Sequence, residues 1–551
     1  MGRTYTARGT WLLAGFLLLG VTGQVVGQVR IAPAVISPAA VGTSSAAVGN
    51  VLHRAEKLEG EHRWGEALSI YEEALREFPD EPTLGSRHTL AKIHYDLGRR
   101  YTDSSFLRAV TSLNERDALN LYSEVLLKIE SHYVTPPDWG MLVARGTQGM
   151  QVALAETAFQ QQHLRNATRA QIDAFSAQLQ TLLSARRVQS RQQAMDLVTA
   201  AVGWGRQQLQ LAPASISMEF ACGAIGALDS YSSYLTSDQL TDVYSQIEGN
   251  FVGLGIELKA GEGGLQIVKV ISGSPADRAG IRAGDRITDV DGQSTIDLST
   301  DQAADKLQGR EGSIVELTTL TPAGVSRRLR IRREHVEVPS VDDVRIVDRD
   351  FGVGYLKLTC FQKTTSRDLD AALWKLHRDG MRSLIIDLRG NPGGLLTSSV
   401  EVADKFVDEG IIVATRGRSS LEDYNYTAHK AGTWHVPLVV LIDDESASAS
   451  EIFAGAIRDH RRGQLVGERS YGKGSVQGIF PLTTANSGVR LTTAKFYSPN
   501  GHPISNVGVT PDVTVQAVAG ALAGQLAAQG GPDDVVLNAG VQAARRQVAK
   551  R

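Results

Sequence analysis

The pattern of apolar and polar positions changes near residue 248. Before that point, apolar residues recur about every 3.6 positions, the spacing of an amphipathic helix. The segment ALNLYSEVLLKIESHY is typical, and the apolar positions that would share one helix face are Leu119, Tyr122, Val125, Leu126 and Ile129. After that point, short apolar runs alternate with glycines, which indicates strands and turns. The sequence therefore predicts a helical first half, a β-rich segment, and then alternating strands and helices.

The first helical segment has the spacing of a two-helix hairpin. Between Val51 and Pro79, residues recur on one side of two helical stretches, at Ala55, Leu58, Trp64, Ala67, Tyr71, Ala74 and Pro79. This pattern resembles a single tetratricopeptide repeat, and a plain helical hairpin is an equal alternative. One repeat cannot bury its own apolar face, so it must pack against the following helices or against a protein partner.

Two strand–turn–helix units occupy the last third of the chain. SLIIDLRG, Ser383–Gly390, and VPLVVLID, Val436–Asp443, are aliphatic runs that predict buried strands. The glycine-rich turn GNPGG follows the first run, and the serine and alanine turn ESASAS follows the second. Such alternation predicts a largely parallel sheet that is covered on both faces, with ligands bound beyond the carboxyl ends of the strands.

Ser448 lies in the second of these turns and is followed by Glu451 at the spacing of a capping box. This places Ser448 at a helix N-terminus, where unpaired N–H groups and the helix dipole favour negative charge. An acyl-transfer enzyme needs such donors for its oxyanion, and the amides of Ala449 and of Gly393 or Gly394 could supply two. A purely structural cap is the alternative, and the spacing alone favours it.

A serine nucleophile also needs a base, and no Ser–His–Asp arrangement is evident in the sequence. His460 would lie at the far end of the helix that begins at Ser448. Lys473 stands between two glycines just before a predicted strand, and Gln477 follows four residues later. In an extended chain these two side chains point to the same face, so the amide could orient the amine.

Residues 249–334 resemble a PDZ domain. The resemblance rests on three segments in order, GLGI, GSPADRAGIRAGD and ITDVDGQ. In PDZ domains, backbone N–H groups of the loop that matches GLGI bind the terminal carboxylate of a peptide. The matching positions are Leu254, Gly255 and Ile256, and STDQAADKLQ, Ser299–Gln308, predicts the helix on the other side of the peptide groove.

The motifs of the last third resemble those of the carboxyl-terminal processing peptidases, also called tail-specific proteases, which are Ser–Lys endopeptidases with an inserted PDZ domain. SASASEIFAGAIRD is followed by GERSYGKGSVQ, with DLRGNPGG before and YSPNGHPISNVGVTPDV after them. The resemblance covers about Met218–Val513. It implies that Ser448 is the nucleophile, Lys473 the base and Gln477 the partner that orients the base. Asp459 matches a supporting acidic position of some members.

Composition and charge argue against several other classes of function. The chain has 551 residues, of which 42% are hydrophobic and 21% charged, so several soluble domains are expected. A net charge of −3 gives no basic surplus for binding nucleic acid. The two cysteines, Cys222 and Cys360, have no cysteine or histidine at metal-ligand spacing, which argues against a structural zinc, and the Ser–Lys mechanism that the resemblance implies needs no metal or other cofactor. The sequence favours two separate buried thiols over a disulfide.

The N-terminus predicts export. Two arginines precede the apolar run Trp11–Val21, which is too short to span a bilayer comfortably, and small residues follow it at Gly23 and Gly27. These features predict a secretory signal over residues 1–27 and a periplasmic or cell-envelope location. A membrane anchor that stays uncleaved is the alternative.

Together these patterns predict a multidomain α+β protein. Its predicted segments are a signal peptide 1–27, a tetratricopeptide-like helical region 46–110, a helical scaffold 111–248, a PDZ domain 249–334, an α/β Ser–Lys protease core with a mostly parallel sheet 335–515, and a tail 516–551. We expect an exported serine endopeptidase that recognises protein C-termini through the PDZ domain and acts through an acyl-enzyme. The alternative is an inactive PDZ and tetratricopeptide adaptor. The expected partners are substrates with free C-termini; a protein partner at the helical N-terminal region and self-association stay open.

Overall fold

The computed structural model describes residues 39–185, 187–261, 264–295, 306–307, 309–419, 423–515 and 534–550. They fall into two compact units, residues 39–240 with 477–494 and residues 241–476 with 495–550. Within these ranges, no helix has both the length and the apolar character needed to cross a membrane. The predicted signal peptide and most of the predicted helix Ser299–Gln308 lie outside the described residues.

The first unit consists mainly of helices, as the 3.6-residue pattern predicts. Its helices are Ala39–Gly60, Trp64–Glu77, Pro82–Arg100, Ser104–Ser112, Glu115–His132, Trp139–Ala155, Thr157–His163, Arg169–Ala185, Arg191–Leu209 and Pro213–Gly226. The strand β1 (Ser233–Leu235) and the helix Ser237–Glu248 follow them in the chain. On Glu115–His132 the predicted face is the buried one, formed by Tyr122, Val125, Leu126 and Ile129.

The predicted helical hairpin near the N-terminus is present. Helices Ala39–Gly60 and Trp64–Glu77 pack together, and the following helix, Pro82–Arg100, adds a third layer. Their shared buried cluster consists of Val48, Ala55, Ala67, Tyr71, Ala74, Leu84 and Ala91. The third helix therefore covers apolar surface that a single hairpin leaves exposed. The assignment of the hairpin as a tetratricopeptide repeat stays a prediction.

The second unit contains the β-rich module that the PDZ-like pattern predicts. Its strands are β2 (Asn250–Gly253), β3 (Ile256–Gly261), β4 (Gly264–Val270), β5 (Arg286–Val290), β6 (Gln293–Ser294), β7 (Ile314–Leu320), β8 (Ser326–Arg332) and β9 (Glu334–Glu337), with a short helix at Pro275–Arg278. One antiparallel sheet has the order β3-β4-β5-β7-β8, with β6 beside β5, and β2 pairs with β9.

The same unit contains the predicted parallel sheet. Its remaining strands are β10 (Val341–Asp348), β11 (Val353–Leu358), β12 (Ser383–Asp387), β13 (Ile411–Gly417), β14 (Tyr424–Thr427), β15 (Leu438–Ile442), β16 (Gln464–Gly467) and β19 (Val513–Thr514). Two further strands, β17 (Ser475–Pro481) and β18 (Gly488–Tyr497), belong mostly to the first unit. The sheet has the order β10-β11-β12-β15-β16-β19, and in it only β10 runs antiparallel to its neighbour. The two predicted aliphatic strands are β12 and β15, which lie side by side. Elsewhere β13 pairs with β14, and within the first unit β1 pairs with β18.

Three helices cover one face of this sheet. Because successive side chains of a strand point to opposite faces, each buried strand needs a hydrophobic cover on both sides. Leu384 and Ile386 of β12 share one buried cluster with residues of these helices. The three helices are Thr365–Arg378, Leu396–Asp404 and Ala449–Asp459.

The C-terminal helix Val535–Ala549 covers the other face. Ile385 of β12 and Leu441 of β15 share a buried cluster with Val536 and Leu537 of this helix. The sequence predicts only a tail over this part of the chain. The contacts make the helix a component of the core, because without it these aliphatic side chains would face water.

We expect Leu537→Ala to destabilise the protein by about 2–3 kcal/mol, because it leaves a cavity beneath the sheet where a 6% exposed side chain packs. Gln542 is exposed on the same helix, so Gln542→Ala is a matched control that should stay within about 0.5 kcal/mol of the wild type. The measurement is the midpoint of urea unfolding followed by circular dichroism. Equal midpoints for the two variants would mean that Leu537 does not contribute to the core.

Candidate active site

Ser448 lies in a strained turn between a buried strand and a helix. Strand β15 ends at Ile442, and the helix Ala449–Asp459 begins directly after Ser448. The Ser448 backbone has φ +56° and ψ −112°, a sparsely populated conformation of the kind that costs about 1–3 kcal/mol. The surrounding structure must therefore hold this residue in place. Strain of this kind concentrates at functional sites.

The two neighbouring serines have structural roles that Ser448 lacks. Ser446 and Ser450 are fully buried, whereas Ser448 is only partly buried. The Ser446 hydroxyl donates to the Leu388 carbonyl oxygen and the Ser450 hydroxyl to the Asn391 carbonyl oxygen, both at 2.9 Å. These bonds tie the serine turn to the glycine-rich turn after β12. Ser448 is the N-cap residue of the helix Ala449–Asp459, and the Glu451 side chain accepts its backbone N–H as the spacing of a capping box predicts.

Glu451 joins the segment around Ser448 to the segment around Lys473. Its fully buried carboxylate accepts the Ser448 N–H at 2.7 Å and the Lys473 N–H at 2.9 Å on Oε2. Its Oε1 accepts the Ser470 hydroxyl and the Gly472 N–H, both at 2.6 Å. The sequence assigns Glu451 only to a capping box and misses this second function, since nothing in the spacing connects it with residues 470–473.

The electrostatics of Glu451 follow from its burial. Burial raises the pKa of the Glu451 carboxyl, and the hydrogen bonds from Ser470, Gly472, Ser448 and Lys473 oppose that rise. All four partners are N–H or O–H donors, an arrangement that fits the ionised carboxylate. The site therefore contains a buried negative charge that is held by hydrogen bonds from two separate segments.

Lys473 and Gln477 lie where the sequence predicts them, before and within a strand. Lys473 is partly buried and precedes β17, and Gln477 is on β17 itself. The Gln477 amide nitrogen lies 3.5 Å from the Thr492 hydroxyl, within the first unit. The backbone of Lys473 is thus tied to Ser448 through Glu451, while the orienting role of Gln477 stays a prediction.

The glycine-rich turn approaches Ser448 closely. A Cβ added to Gly393 would lie 2.7 Å from the Ala447 carbonyl oxygen, 2.8 Å from the Ser448 Cβ and 2.9 Å from the Ala449 nitrogen. Gly393 also has φ +104°, a conformation that side-chain-bearing residues rarely adopt. Only glycine lets the two turns come this close together.

The three predicted oxyanion donors differ in their hydrogen bonds. The Gly393 N–H already donates to Asn391 Oδ1 at 2.9 Å. In the part of the chain that the structure describes, the N–H groups of Gly394 and Ala449 donate to no acceptor. Gly394 and Ala449 are therefore better placed than Gly393 to supply donors, and the assignment stays a prediction.

Three residues that the sequence considered lie elsewhere or have other partners. Asp459 is at the far end of the 11-residue helix that follows Ser448, about 15 Å along its axis, and accepts the Asn500 N–H at 3.0 Å. His460 follows it and contacts the Ile411 carbonyl oxygen at 2.7 Å. The segment ERSYG, Glu468–Gly472, nearly matches the Gly-x-Ser-x-Gly nucleophile elbow, but its serine, Ser470, is buried and bonds Glu451, so it has a structural role.

The predicted carboxylate-binding loop of the PDZ module is formed around Gly255. This glycine has φ +79°, and a Cβ there would lie 2.3 Å from the Ser274 Cβ. Leu254 and Ile256 on either side are 1% and 5% exposed and belong to the core of the module. The loop is therefore fixed from both sides. Of the groove helix, only residues 306–307 are described.

Neither a metal centre nor a disulfide is found in the described ranges. No group of three or more histidine, cysteine, aspartate or glutamate side chains there could hold a metal ion. Cys222 and Cys360 are both free thiols, so the pairing that the sequence left open is not made. Burial raises the pKa of the Cys222 thiol to about 12 and that of Cys360 to about 11, so neither is a reactive thiolate near neutral pH.

Two regions of the chain match known families. Residues 352–515 match the family described as Peptidase family S41, and residues 266–321 match the PDZ domain. The first region contains Ser448 and Lys473 with the whole hydrogen-bond network of Glu451 described above. The second lies within the segment that the sequence predicts as PDZ.

The chain is also similar to individual proteins over half of its length or more. It is 40% identical over 302 residues to the carboxy-terminal-processing protease of Bartonella bacilliformis, covering 53% of this chain and 68% of that protein. It is 33% identical over 291 residues to a probable CtpA-like serine protease of Staphylococcus haemolyticus, covering 52% of this chain and 57% of that protein. Among solved structures, the photosystem II D1 C-terminal processing protease is 26% identical with a TM-score of 0.38, covering 72% of this chain and 92% of that chain.

We expect Gly393→Ala to destabilise the protein by about 2–4 kcal/mol, because the new Cβ overlaps the backbone around Ser448 in addition to straining its own φ. Gly390→Ala is the matched control, since Gly390 also has positive φ, +71°, but a Cβ there meets nothing closer than 3.5 Å. That variant should lose only about 1 kcal/mol. Urea-unfolding midpoints of both variants measure the difference. Equal losses would show that the two turns are not in close contact.

Proposed function

Because this chain belongs to the carboxy-terminal-processing proteases of peptidase family S41, we propose that it is an exported endopeptidase with Ser448 as nucleophile and Lys473 as general base. Family membership and the PDZ domain make it a serine protease that acts on proteins or peptides. One observation carries the Ser–Lys assignment: Glu451 Oε2 accepts the backbone N–H groups of both residues, at 2.7 and 2.9 Å. The partial exposure of Ser448 between two buried serines adds support.

In the first proposed step, the neutral amine of Lys473 accepts the proton of the Ser448 hydroxyl while the hydroxyl oxygen attacks the carbonyl carbon of the substrate. An ordinary lysine is protonated at pH 7, so this base has to work in its neutral form. Gln477 orients the amine, as the family resemblance implies. The backbone strain of Ser448 keeps its side chain at the exposed edge of the turn.

The attack gives a tetrahedral intermediate whose oxyanion accepts hydrogen bonds from the N–H groups of Gly394 and Ala449. Ala449 is the first residue of its helix, where the dipole favours negative charge. Collapse breaks the peptide C–N bond, the leaving amine takes the proton from Lys473, and an acyl-enzyme remains on Ser448. Lys473 then accepts a proton from the water that attacks the ester carbonyl and returns it to the Ser448 oxygen as the ester C–O bond breaks, which releases the carboxylic acid product and restores the serine.

In this proposal, the PDZ domain selects the substrate. The loop around Gly255 binds the free C-terminal carboxylate of the substrate through backbone N–H groups. Export through the N-terminal signal would bring the enzyme to proteins of the periplasm or cell envelope. The helical N-terminal region is a candidate surface for a further protein partner, and self-association is a matter for measurement.

We expect Ser448→Ala and Lys473→Arg to abolish cleavage of an unstructured protein substrate, because the first lacks the nucleophile and the second has a guanidinium that cannot accept a proton. Ser131→Ala removes an exposed serine far from the site in sequence and Lys430→Arg changes an exposed lysine, so both controls should retain activity. Purified variants are compared by the rate at which the substrate disappears. Turnover by Lys473→Arg at neutral pH would contradict the assignment of the base, and turnover by Ser448→Ala would leave another residue as nucleophile.

The PDZ proposal predicts that a peptide with a free C-terminal carboxylate binds about tenfold or more tightly than its amide, because charge-assisted hydrogen bonds contribute about 1.5–3 kcal/mol. The full-length Ser448→Ala variant is titrated into each labelled peptide and followed by fluorescence anisotropy, so that no cleavage interferes. The acid and amide forms serve as each other's control. Equal affinities would mean that the domain does not read C-termini.

A further inference from the structure

A buried arginine connects the glycine-rich turn to the C-terminal helix. The Arg389 guanidinium donates to Asp387 Oδ2 at 2.6 Å and to both oxygens of Asp534 at 2.9 Å. The side chains of Asp387 and Asp534 are 1% and 3% exposed, and that of Arg389 is 16% exposed. The Tyr355 hydroxyl donates to Asp387 at 2.9 Å. One guanidinium therefore holds two buried carboxylates from distant parts of the chain.

Asp534 has two functions at this point. It is the N-cap of the helix Val535–Ala549, where its side chain accepts the Leu537 N–H at 2.9 Å. It also supplies the second carboxylate to Arg389. Burial alone would raise the pKa of Asp534, but hydrogen bonds from Arg389 and from the helix backbone outweigh it and hold the pKa below its usual value. Asp534 is therefore charged near neutral pH.

The backbone on both sides of Arg389 is bonded to the turn that contains Ser448. The Leu388 carbonyl oxygen accepts the Ser446 hydroxyl at 2.9 Å, and the Gly390 N–H lies 3.0 Å from both carboxylate oxygens of Asp443. Asn391 follows, and its carbonyl oxygen accepts the Ala447 N–H at 3.1 Å. A displacement of Arg389 would therefore be passed to the residues next to Ser448.

We propose that Asp534 is a positioning residue, which acts through Arg389 to hold the glycine-rich turn, residues 388–394, in the geometry that catalysis needs. The C-terminal helix then determines activity although it lies outside the region 352–515 that matches the peptidase family. This inference rests on the proposed function. In this proposal the C-terminal helix helps to position the oxyanion donors, although the donors themselves belong to the protease core.

Asp534→Asn is the informative substitution. Asparagine is as good an N-cap as aspartate, so the helix keeps its cap, and Arg389 keeps Asp387 as a charged partner. The variant removes the negative charge and one of the two oxygens that accept from Arg389, because the amide nitrogen that replaces this oxygen is a donor. A misplacement of the turn by about 1 Å should lower kcat by about tenfold to a hundredfold, with KM nearly unchanged, because substrate binding at the PDZ domain is not altered.

Asp348→Asn is the matched control. Asp348 is 8% exposed and accepts from Arg545 of the same C-terminal helix at 2.5 Å, but none of its hydrogen bonds reaches residues 388–394. This variant weakens the attachment of the helix at its other end. We expect it to lower the unfolding midpoint as much as Asp534→Asn does while leaving kcat close to the wild-type value. Asp534→Glu should restore part of the lost kcat, because it returns the carboxylate.

Two measurements decide the proposal in full-length protein. The first is kcat and KM for the wild type and the three variants, with Ser448→Ala as the blank. The second is hydrogen exchange of peptides that cover residues 388–394, which should become faster in Asp534→Asn and stay unchanged in Asp348→Asn. A wild-type kcat in Asp534→Asn, or an equal loss of kcat in Asp348→Asn, would overturn the proposal. If the wild type shows no Ser448-dependent cleavage, the proposed function is wrong, and unchanged exchange would separately show that Asp534 does not hold the turn.

Discussion

The Glu451 carboxylate is buried completely, and its four hydrogen-bond donors come from Ser448, three residues before it, and from a loop 19–22 residues after it. Removing a carboxylate from water is costly unless its oxygens receive hydrogen bonds in exchange. Glu451 receives all four hydrogen bonds only when the turn at Ser448 and the loop before β17 are both folded. The candidate nucleophile and the candidate base are therefore fixed by the same free-energy requirement. Glu451 can therefore position both groups without touching the substrate.

The strain at Ser448 has a similar explanation. A non-glycine residue with positive φ persists only if its surroundings hold it, and here three sets of contacts do so. Glu451 accepts the Ser448 N–H, and the buried hydroxyls of Ser446 and Ser450 anchor the turn on either side. The backbone of Gly393 packs directly against Ser448, where a side chain would not fit. The serine turn and the glycine-rich turn thus form one structure. It lies beyond the carboxyl ends of two adjacent parallel strands, where α/β sheets commonly bind ligands.

Much of the fold could be predicted from local pattern. The aliphatic runs that became β12 and β15, the buried face of Glu115–His132 and the hairpin around Tyr71 follow from periodicity alone, and each is present. Ser448 and Lys473 are named through the resemblance of their motifs to the carboxyl-terminal processing peptidases, since the local spacing at Ser448 alone favours a structural cap, and their roles stay proposals. The C-terminal helix could not be recognised as part of the core, since its partners, the alternate faces of β12 and β15, lie about a hundred residues away or more.

By itself, the sequence determined the helical character of the first half, the aliphatic strands β12 and β15 and the residue types at the candidate site, because these depend on neighbours a few positions apart. The tertiary structure decided which of the three serines is partly exposed and which of the candidate oxyanion amides already has an acceptor. It also decided that Glu451 and the Arg389–Asp534 pair link distant segments. The reason is physical: burial and hydrogen-bond partners depend on groups brought together by folding, and the spacing of residues along a chain carries no information about them.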